Sequence, residues 1–323
     1  MSEADWLPYA LPLQQPWQTS RGTTTLRRGR LLRLRSTDGR TGWGDCAPLP
    51  EFGVDEKLAI AFAEECAQLD LAAQRASLPL DAWLGGNPPR TDIAVNAHLG
   101  SLLAVSPETL LACCAAGFTV IKLKVGIGTP VTEMERLQEL AEALPAGCRL
   151  RLDANAAWSP AQATTFLAAC RDLPVEACEE PLCEPDLRVL AQLQDAVPFA
   201  IAIDESLARL GKALLHHPPV HRLIIKPARQ GGLLASMELA LRARAAGLQT
   251  IVSSALESSC GLLACAHLAA AVAPGAVHGL ATGAWFSCDT GEAAPIERGR
   301  LALPGTEGIG FRWAGAAAPA FAP

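Results

Sequence analysis

The chain has 323 residues, half of them apolar, and a formal net charge of −6, which is ample for globular cores. No apolar run reaches the roughly 18 to 20 residues that a membrane-spanning helix needs. The acidic balance and the single tyrosine offer neither the basic patch nor the aromatic platform of a nucleic-acid binder, so an enzyme acting on a small molecule, or a scaffold, remains.

The first residues, MSEADWLPYALPLQQPW, open acidic and carry no basic segment ahead of an apolar one, so no secretory signal and a cytoplasmic location are expected. Further on, LLRLRSTDGRTGWGDCAPLP predicts a hairpin about its Asp-Gly turn, and EKLAIAFAEECAQLDLAAQRAS predicts a helix. Residues 1–90 are therefore expected to form a separate α+β domain. Eleven cysteines stand singly or as the adjacent pair Cys113 and Cys114, with no CxxC spacing. They read as small buried hydrophobes of a reducing compartment.

From about Thr91 the grammar changes to a short apolar strand with a polar end, followed by an Ala/Leu-rich helical stretch. The predicted strands are TDIAVNAHL, TVIKLKVG, CRLRLDAN, VEACEEP, FAIAIDES, HRLIIKPAR, QTIVSSALES and AVHGLATG. Their polar marks, Lys124, Asp153, Glu179, Asp204, Lys226, Ser253 and Gly279, are separated by 29, 26, 25, 22, 27 and 26 residues, the length of a strand, a helix and two loops. Segments such as MERLQELAEALPAG and LLASMELALRARAAG close on a glycine, as helices often do. Eight such units over residues 91–290 predict a (β/α)8 barrel. The tail from 291 to 323, with ERGRLALPG, reads as a strand and turn that packs back on the first domain.

In such a barrel the C-terminal strand ends face one mouth, where active sites are built. Three consecutive strands bring Asp153, Glu179 and Asp204 there, and three carboxylates together call for a divalent cation; oxygen-only ligands favour Mg2+ or Mn2+. Lys124 precedes this cluster and Lys226 follows it. Lys122 shares a face with Lys124, two residues on, and Arg151 and Asn155 share that of Asp153. A lone KxK on a strand is usually a solvated face. The order Lys, Asp, Glu, Asp, Lys at near-constant spacing is what turns these residues into a site. Alternation lets only one of Glu179 and Glu180 face inward. His216, His217 and His221 read as surface or cap residues, and Gly231 and Gly232 as backbone turning before a helix.

A metal clamped by carboxylates with an amine on either side suits removal of a proton next to the carboxylate of a small-molecule substrate. A free lysine titrates near ~10.4, so a base at neutral pH needs neighbouring positive charge, which Lys122 and the metal supply. Arg151 is the expected support beneath the carboxylates.

KLKVG, RLDAN, EEP, IDES, IKPARQGG and SSALESSCG, in this order, resemble the enolase superfamily in its muconate-lactonizing-enzyme subgroup, and WGDCAPLP resembles its capping domain. The resemblance implies an N-terminal α+β capping domain and Mg2+ on Asp153, Glu179 and Asp204, choosing Glu179 over Glu180. It further implies Lys124 as the base on the α-carbon, Lys226 as the cation facing an enediolate, and the segment with Ser253, Ser254, Glu257 and Ser258 as part of the substrate pocket. The reaction implied is syn dehydration of a cyclohexadiene carboxylate to an aromatic product. Two positions depart from the relatives. Ala281 stands where many have an acid, and Asp45 where glutamate is common. Epimerases acting on free amino groups usually carry paired acids at the eighth strand, which LATGAW lacks; racemisation of N-acylamino acids has no such requirement and is the alternative. A catalytically dead barrel would be expected to have lost one of the five polar residues, and none is missing. The oligomeric state stays open, a monomer included.

Overall fold

The computed structural model describes residues 3–19, 22–211 and 213–315; the expected first domain's residues 1, 2, 20 and 21 and the tail's 316–323 lie outside them. Three antiparallel strands come first, β1 (Glu3–Thr19), β2 (Gly22–Arg35) and β3 (Thr41–Cys46), in that spatial order. The Asp-Gly hairpin joins β2 to β3, with Arg35 opposite Thr41 and Gly39 at φ 83°. Nothing in the pattern of the first residues marks β1, because Pro8, Pro12 and Pro16 interrupt it; prolines are tolerated there because β1 is a sheet edge.

Helix α1 (Glu56–Arg75) lies across this sheet, its start capped by Asp55, which accepts from Leu58 N at 2.8 Å. Ala59, Phe62, Ala63 and Cys66 are fully buried beneath it. The helix approaches so closely that a Cβ on Gly44 would stand 1.9 Å from the Ala63 carbonyl oxygen, which explains the glycines of TGWGDC. A short α2 (Leu80–Gly85) follows.

The TDIAVNAHL stretch, expected as one strand, divides in two. Its first part is β4 (Asp92–Ala94), which leaves the barrel, and its second is β5 (Ala97–Ser101). β5 begins a seven-stranded parallel sheet that continues through β6 (Val120–Lys124), β7 (Arg149–Asp153), β8 (Val175–Glu179), β9 (Ala200–Ile203), β10 (Arg222–Ile225) and β11 (Gln249–Val252). The crossovers are α3 (Pro107–Ala115), α4 (Pro130–Ala143), α5 (Pro160–Ala169), α6 (Leu187–Ala196), the short α7 (Leu207–Leu210) and α8 (Ala213–His216), α9 (Pro227–Gln230) with α10 (Leu233–Ala245), and α11 (Ser259–Val272). Ser106, Thr129 and Ser159 each cap a helix that opens on proline, the arrangement expected of a helix start.

The eighth strand predicted from AVHGLATG is reduced to two residues. His278 N donates to Ala94 O and Asn96 N to His278 O, both at 2.9 Å, while Gly279 N donates to Val252 O at 3.0 Å. His278 and Gly279 thus bridge Val95 to Ser253 and complete the ring. A Cβ on Gly279 would lie 2.5 Å from Ser253 Oγ, so this close seam favours glycine. Ala202, Ile224 and Ile251 fill a small apolar centre inside the barrel; the outward residues of the strands join the main core under the helices.

In the tail, β12 (Ile296–Glu297) and β13 (Arg300–Ala302) form a sheet with β4. Beyond it, Ile309 N donates to Asp70 Oδ1 at 2.8 Å and Phe311 meets Trp43 edge-on at 5.4 Å, so this segment touches α1 and β3. Among the described residues no helix is long and apolar enough to cross a membrane.

Asp45 of WGDC joins the first sheet to the barrel. Fully buried, it accepts from Tyr9 Oη at 2.7 Å, Ser258 N at 2.7 Å and Ser258 Oγ at 2.9 Å, and so supports the start of α11. Burial pushes its carboxyl up to about 6, against the pull of those donors. Asp45→Ala would strand three buried donors. It is expected to destabilise the protein by about 3 kcal/mol, measured as a lowered denaturation midpoint. An unchanged midpoint would contradict this linking role.

Candidate active site

Strand register aligns the site. Lys122 stands beside Arg151, and Lys124, Asp153 and Glu179 follow one another across β6, β7 and β8. Asp204, Lys226 and Ser253 come immediately after β9, β10 and β11, so all six sit at the C-terminal ends of the strands.

The cations and carboxylates interleave. Lys122 Nζ pairs with Glu179 and lies 2.9 Å from Asp153 Oδ2. Lys124 Nζ lies 2.8 Å from the same oxygen and donates to Asn155 Oδ1. Lys226 Nζ is 2.6 Å from Asp204 Oδ2, and Arg229 pairs with the other oxygen while donating to the Asp204 backbone carbonyl at 3.0 Å.

Burial works against the charges of Asp153 and Asp204. Lys122 and Lys124 nonetheless hold Asp153 well below the usual carboxylate range, and Arg229 and Lys226 do the same for Asp204. The two lysines of KLK are driven in opposite directions. Burial would lower Lys122, but Asp153 and Glu179 outweigh it and raise its ammonium above the ordinary value. Burial lowers Lys124, and Lys122 and Lys226 add to the shift against the pull of Asp153. Lys122 is the fixed charge of the pair and Lys124 the one closer to releasing a proton.

Arg151 is fully buried under this row. Its Nε meets Glu176 at 2.5 Å, its other nitrogens reach Asn96 Oδ1 at 3.1 Å and Val277 O at 3.0 Å, and it approaches Glu179 only to 3.9 Å. Asn155, at φ 43°, donates through its backbone to Asp153 Oδ1 and through Nδ2 to Glu205 Oε1, both at 3.1 Å. Ser253 and Ser254 line the pocket over the lysines. Glu257 and Ser258 do not: Glu257 turns back to accept from Ala255 N at 2.8 Å, and Ser258, at the start of α11, donates through Oγ to Asp45 Oδ2. The chain reverses at Leu256, φ 60°, and carries both side chains into the packed interior.

The sequence offered Glu180 only as an alternative to Glu179, and it left several other residues of the site unmarked. Glu180, at φ 44°, is buried and accepts from Asp204 N at 2.8 Å and from Ser206; burial and Glu205 push its carboxyl up to about 7. The second acid of EEP and of DES was the available signal for Glu180 and Glu205. Arg229 was visible in KPARQGG. His98 and Trp285, in contrast, come from the first strand and the loop after the eighth position, where no motif marks them. The pocket roof is Leu49 and Phe52 from the loop after β3. Arg27 fixes this loop by donating to Ala47 O, Pro48 O and Leu256 O, the last at 3.0 Å.

The carboxyl groups of Asp153, Glu179 and Asp204 are each turned to a cation, and among the described residues no three acidic, histidine or cysteine side chains stand together as a ready ligand set. The chemistry of the donors still fits a hard divalent ion, since all are carboxylate oxygens on adjacent strand ends. A further buried carboxyl stands close to them. Glu205 Oε2 is buried without a partner, and burial together with Asp204 raises its carboxyl above the usual range.

Comparison with known proteins places the chain among relatives of one kind. The family described as Enolase C-terminal domain-like matches residues 108–317. An o-succinylbenzoate synthase of Edwardsiella ictaluri is 35% identical over 301 residues, covering 87% of this chain and 90% of that protein. An L-Ala-D/L-Glu epimerase of Bacillus subtilis is 27% identical over 304 residues, 81% of this chain and 82% of that one. Among solved structures, a dipeptide epimerase of Enterococcus faecalis complexed with Mg and the dipeptide L-Leu-L-Tyr superposes with a TM-score of 0.87 at 23% identity, covering 96% of this chain and 98% of that one.

Proposed function

The chain belongs to the enolase superfamily, and from that premise we propose that it is an o-succinylbenzoate synthase. It would dehydrate 2-succinyl-6-hydroxy-2,4-cyclohexadiene-1-carboxylate to o-succinylbenzoate, a step toward menaquinone or phylloquinone. The observation that carries this reading is the composition of the pocket. Among its described lining residues the sole carboxylate is Asp153, and the eighth-strand position offers Ala281 and Thr282. A substrate with a free α-ammonium finds no counter-charge there, whereas an acylated or carbocyclic carboxylate needs none.

Asp153, Glu179 and Asp204 would hold the metal, Mg2+ with Mn2+ as its substitute, which when bound supplies positive charge that stabilises the enediolate. Lys124 removes the proton on the carbon next to the substrate carboxylate. Lys226, across the mouth, contributes fixed positive charge opposite the developing anion. Lys124, now an ammonium on the same face, returns its proton to the departing hydroxyl, so a single residue serves as base and then acid and the elimination is syn. Aromaticity of the product drives the step forward.

Lys124 must be neutral to act, so kcat/KM should rise with pH to a plateau, with its midpoint below the ~10.4 of a free lysine. Lys122→Ala removes the positive charge beside it and leaves Asp153 less compensated. Both effects raise the pKa of Lys124, and the rising limb should move to higher pH. A limb at the same pH in both proteins would show that Lys122 does not tune the base.

The second reading is racemisation of N-acylamino acids, which the placement of lysines on both sides of the mouth favours. Lys226→Arg separates the two. Arginine keeps the charge and is effectively unable to exchange a proton, its pKa lying above ~12. As a synthase, the variant should keep part of its dehydration activity and show no racemisation. Loss of dehydration as complete as that of Lys124→Ala would contradict the one-base mechanism.

A further inference from the structure

The pocket wall formed by β5, beside the lysines of β6, holds a residue with no role in the chemistry above. His98 of β5 stands beside Lys122 in register and lines the pocket, its ring stacked on Trp285 with centroids 4.6 Å apart and planes tilted by 38°. Its Nδ1 is buried and has no hydrogen-bond partner. The hydroxyls nearby are already engaged: Thr282 Oγ1 donates to Ser254 Oγ at 2.8 Å, Ser254 Oγ accepts also from Leu256 N at 2.8 Å, and Ser253 Oγ donates to Gly279 O at 3.3 Å. Burial, with Lys124 and Lys122 close by, keeps the imidazole well below its ordinary pKa, so the ring is neutral and carries one N–H and one bare nitrogen. With the proton on Nε2, the buried Nδ1 is the bare nitrogen and the ring offers a donor with no acceptor among the described residues.

We propose that His98, packed against Trp285, is a specificity-determining residue that donates a hydrogen bond to an oxygen on the acyl arm of the substrate. The proposal rests on the reading above, in which the substrate carboxylate lies at the strand-end carboxylates; His98 lines the same pocket, within which the acyl arm must also lie. A neutral donor between an aromatic plate and the Lys122 ammonium suits a carbonyl or carboxylate oxygen. It disfavours an α-ammonium, which would meet a donor and a like charge. The ligand class is therefore a carboxylate with an oxygen-bearing acyl substituent.

The test is binding of two ligands to the full-length, Mg2+-loaded protein by titration calorimetry: o-succinylbenzoate, and 2-pentylbenzoate, whose arm has no oxygen. Wild type, His98→Phe, which keeps the stack on Trp285 and removes the donor, and His98→Gln, which restores an N–H, are compared. His98→Phe should bind o-succinylbenzoate about tenfold more weakly, as loss of one hydrogen bond implies, with 2-pentylbenzoate unchanged and most of the loss recovered in His98→Gln. Equal weakening for both ligands would assign His98 a merely structural part, and no weakening for either would remove it from recognition; both overturn the proposal. If wild type ignores o-succinylbenzoate but binds N-succinylamino acids, the synthase reading fails by itself. The same three proteins, titrated with an N-succinylamino acid and an N-alkylamino acid, then decide His98 separately.

Discussion

Lys124→Ala is expected to abolish turnover and, with it, exchange of the substrate α-proton with solvent deuterium, a loss of about 10⁴-fold at the upper end of what a positioned general base contributes. Lys124 alone of the three pocket lysines combines a lowered affinity for its proton with a place at the row of Asp153 and Glu179. Lys122 has the opposite shift, and Lys226 is bound to Asp204 across the mouth. Deuterium exchange is the decisive readout because it reports proton removal even where expulsion of the hydroxyl has failed. A Lys124→Ala protein that still exchanged the proton at the wild-type rate would move the base elsewhere.

The second large effect is expected at Asp204. Asp204→Asn replaces a charged oxygen donor by a neutral one, and affinity for Mn2+, followed by the paramagnetic resonance of the free ion, should fall by at least about a hundredfold, more than loss of an outer-shell partner typically costs. Activity should fall with it and return partly at high metal concentration. The protein should stay folded. The introduced amide oxygen would still accept from one of the two cationic neighbours, and the site lies beyond the end of β9 rather than in the core under the helices. The variant is nevertheless expected to be less stable, because Lys226 and Arg229 would remain buried with less opposing charge. Exhaustive chelation of the wild type should likewise abolish activity, and Mg2+ or Mn2+ should restore it. Full activity in metal-free buffer would sink the metal's role.

The barrel and the row of polar strand ends were legible because one physical rule writes both. A buried parallel strand is apolar until its C-terminal end, so each ionisable residue there stands out against the strand that carries it, as Lys124, Asp153 and Glu179 do. Where strands depart from that rule the reading failed. β1 hides behind its prolines, TDIAVNAHL is divided because its first residues pair with the distant β13, and the eighth position holds through two residues that bridge to Val95 and Ser253. The side chains that turn away from their predicted places are governed by local backbone geometry. Leu256 and Glu180 adopt left-handed conformations that alternation along a strand does not foretell, and these carry Glu257 inward and bind Glu180 to the loop after Asp204. His98 and Trp285 meet only because the ring closes, so their contact spans 187 positions of sequence and leaves no mark in either segment.

The central claim is that this site removes the α-proton of a cyclohexadiene carboxylate and expels its hydroxyl, rather than returning the proton to the opposite face of an amino-acid derivative. One measurement addresses it directly: kcat/KM of the purified, Mg2+-loaded protein for 2-succinyl-6-hydroxy-2,4-cyclohexadiene-1-carboxylate, followed by loss of the diene absorbance, beside kcat/KM for a panel of N-acylamino acids and dipeptides, followed by optical rotation. The account predicts dehydration as the dominant activity, with dipeptides carrying a free α-ammonium the poorest of all. Efficient racemisation or epimerisation in a protein that leaves the diene untouched would contradict it.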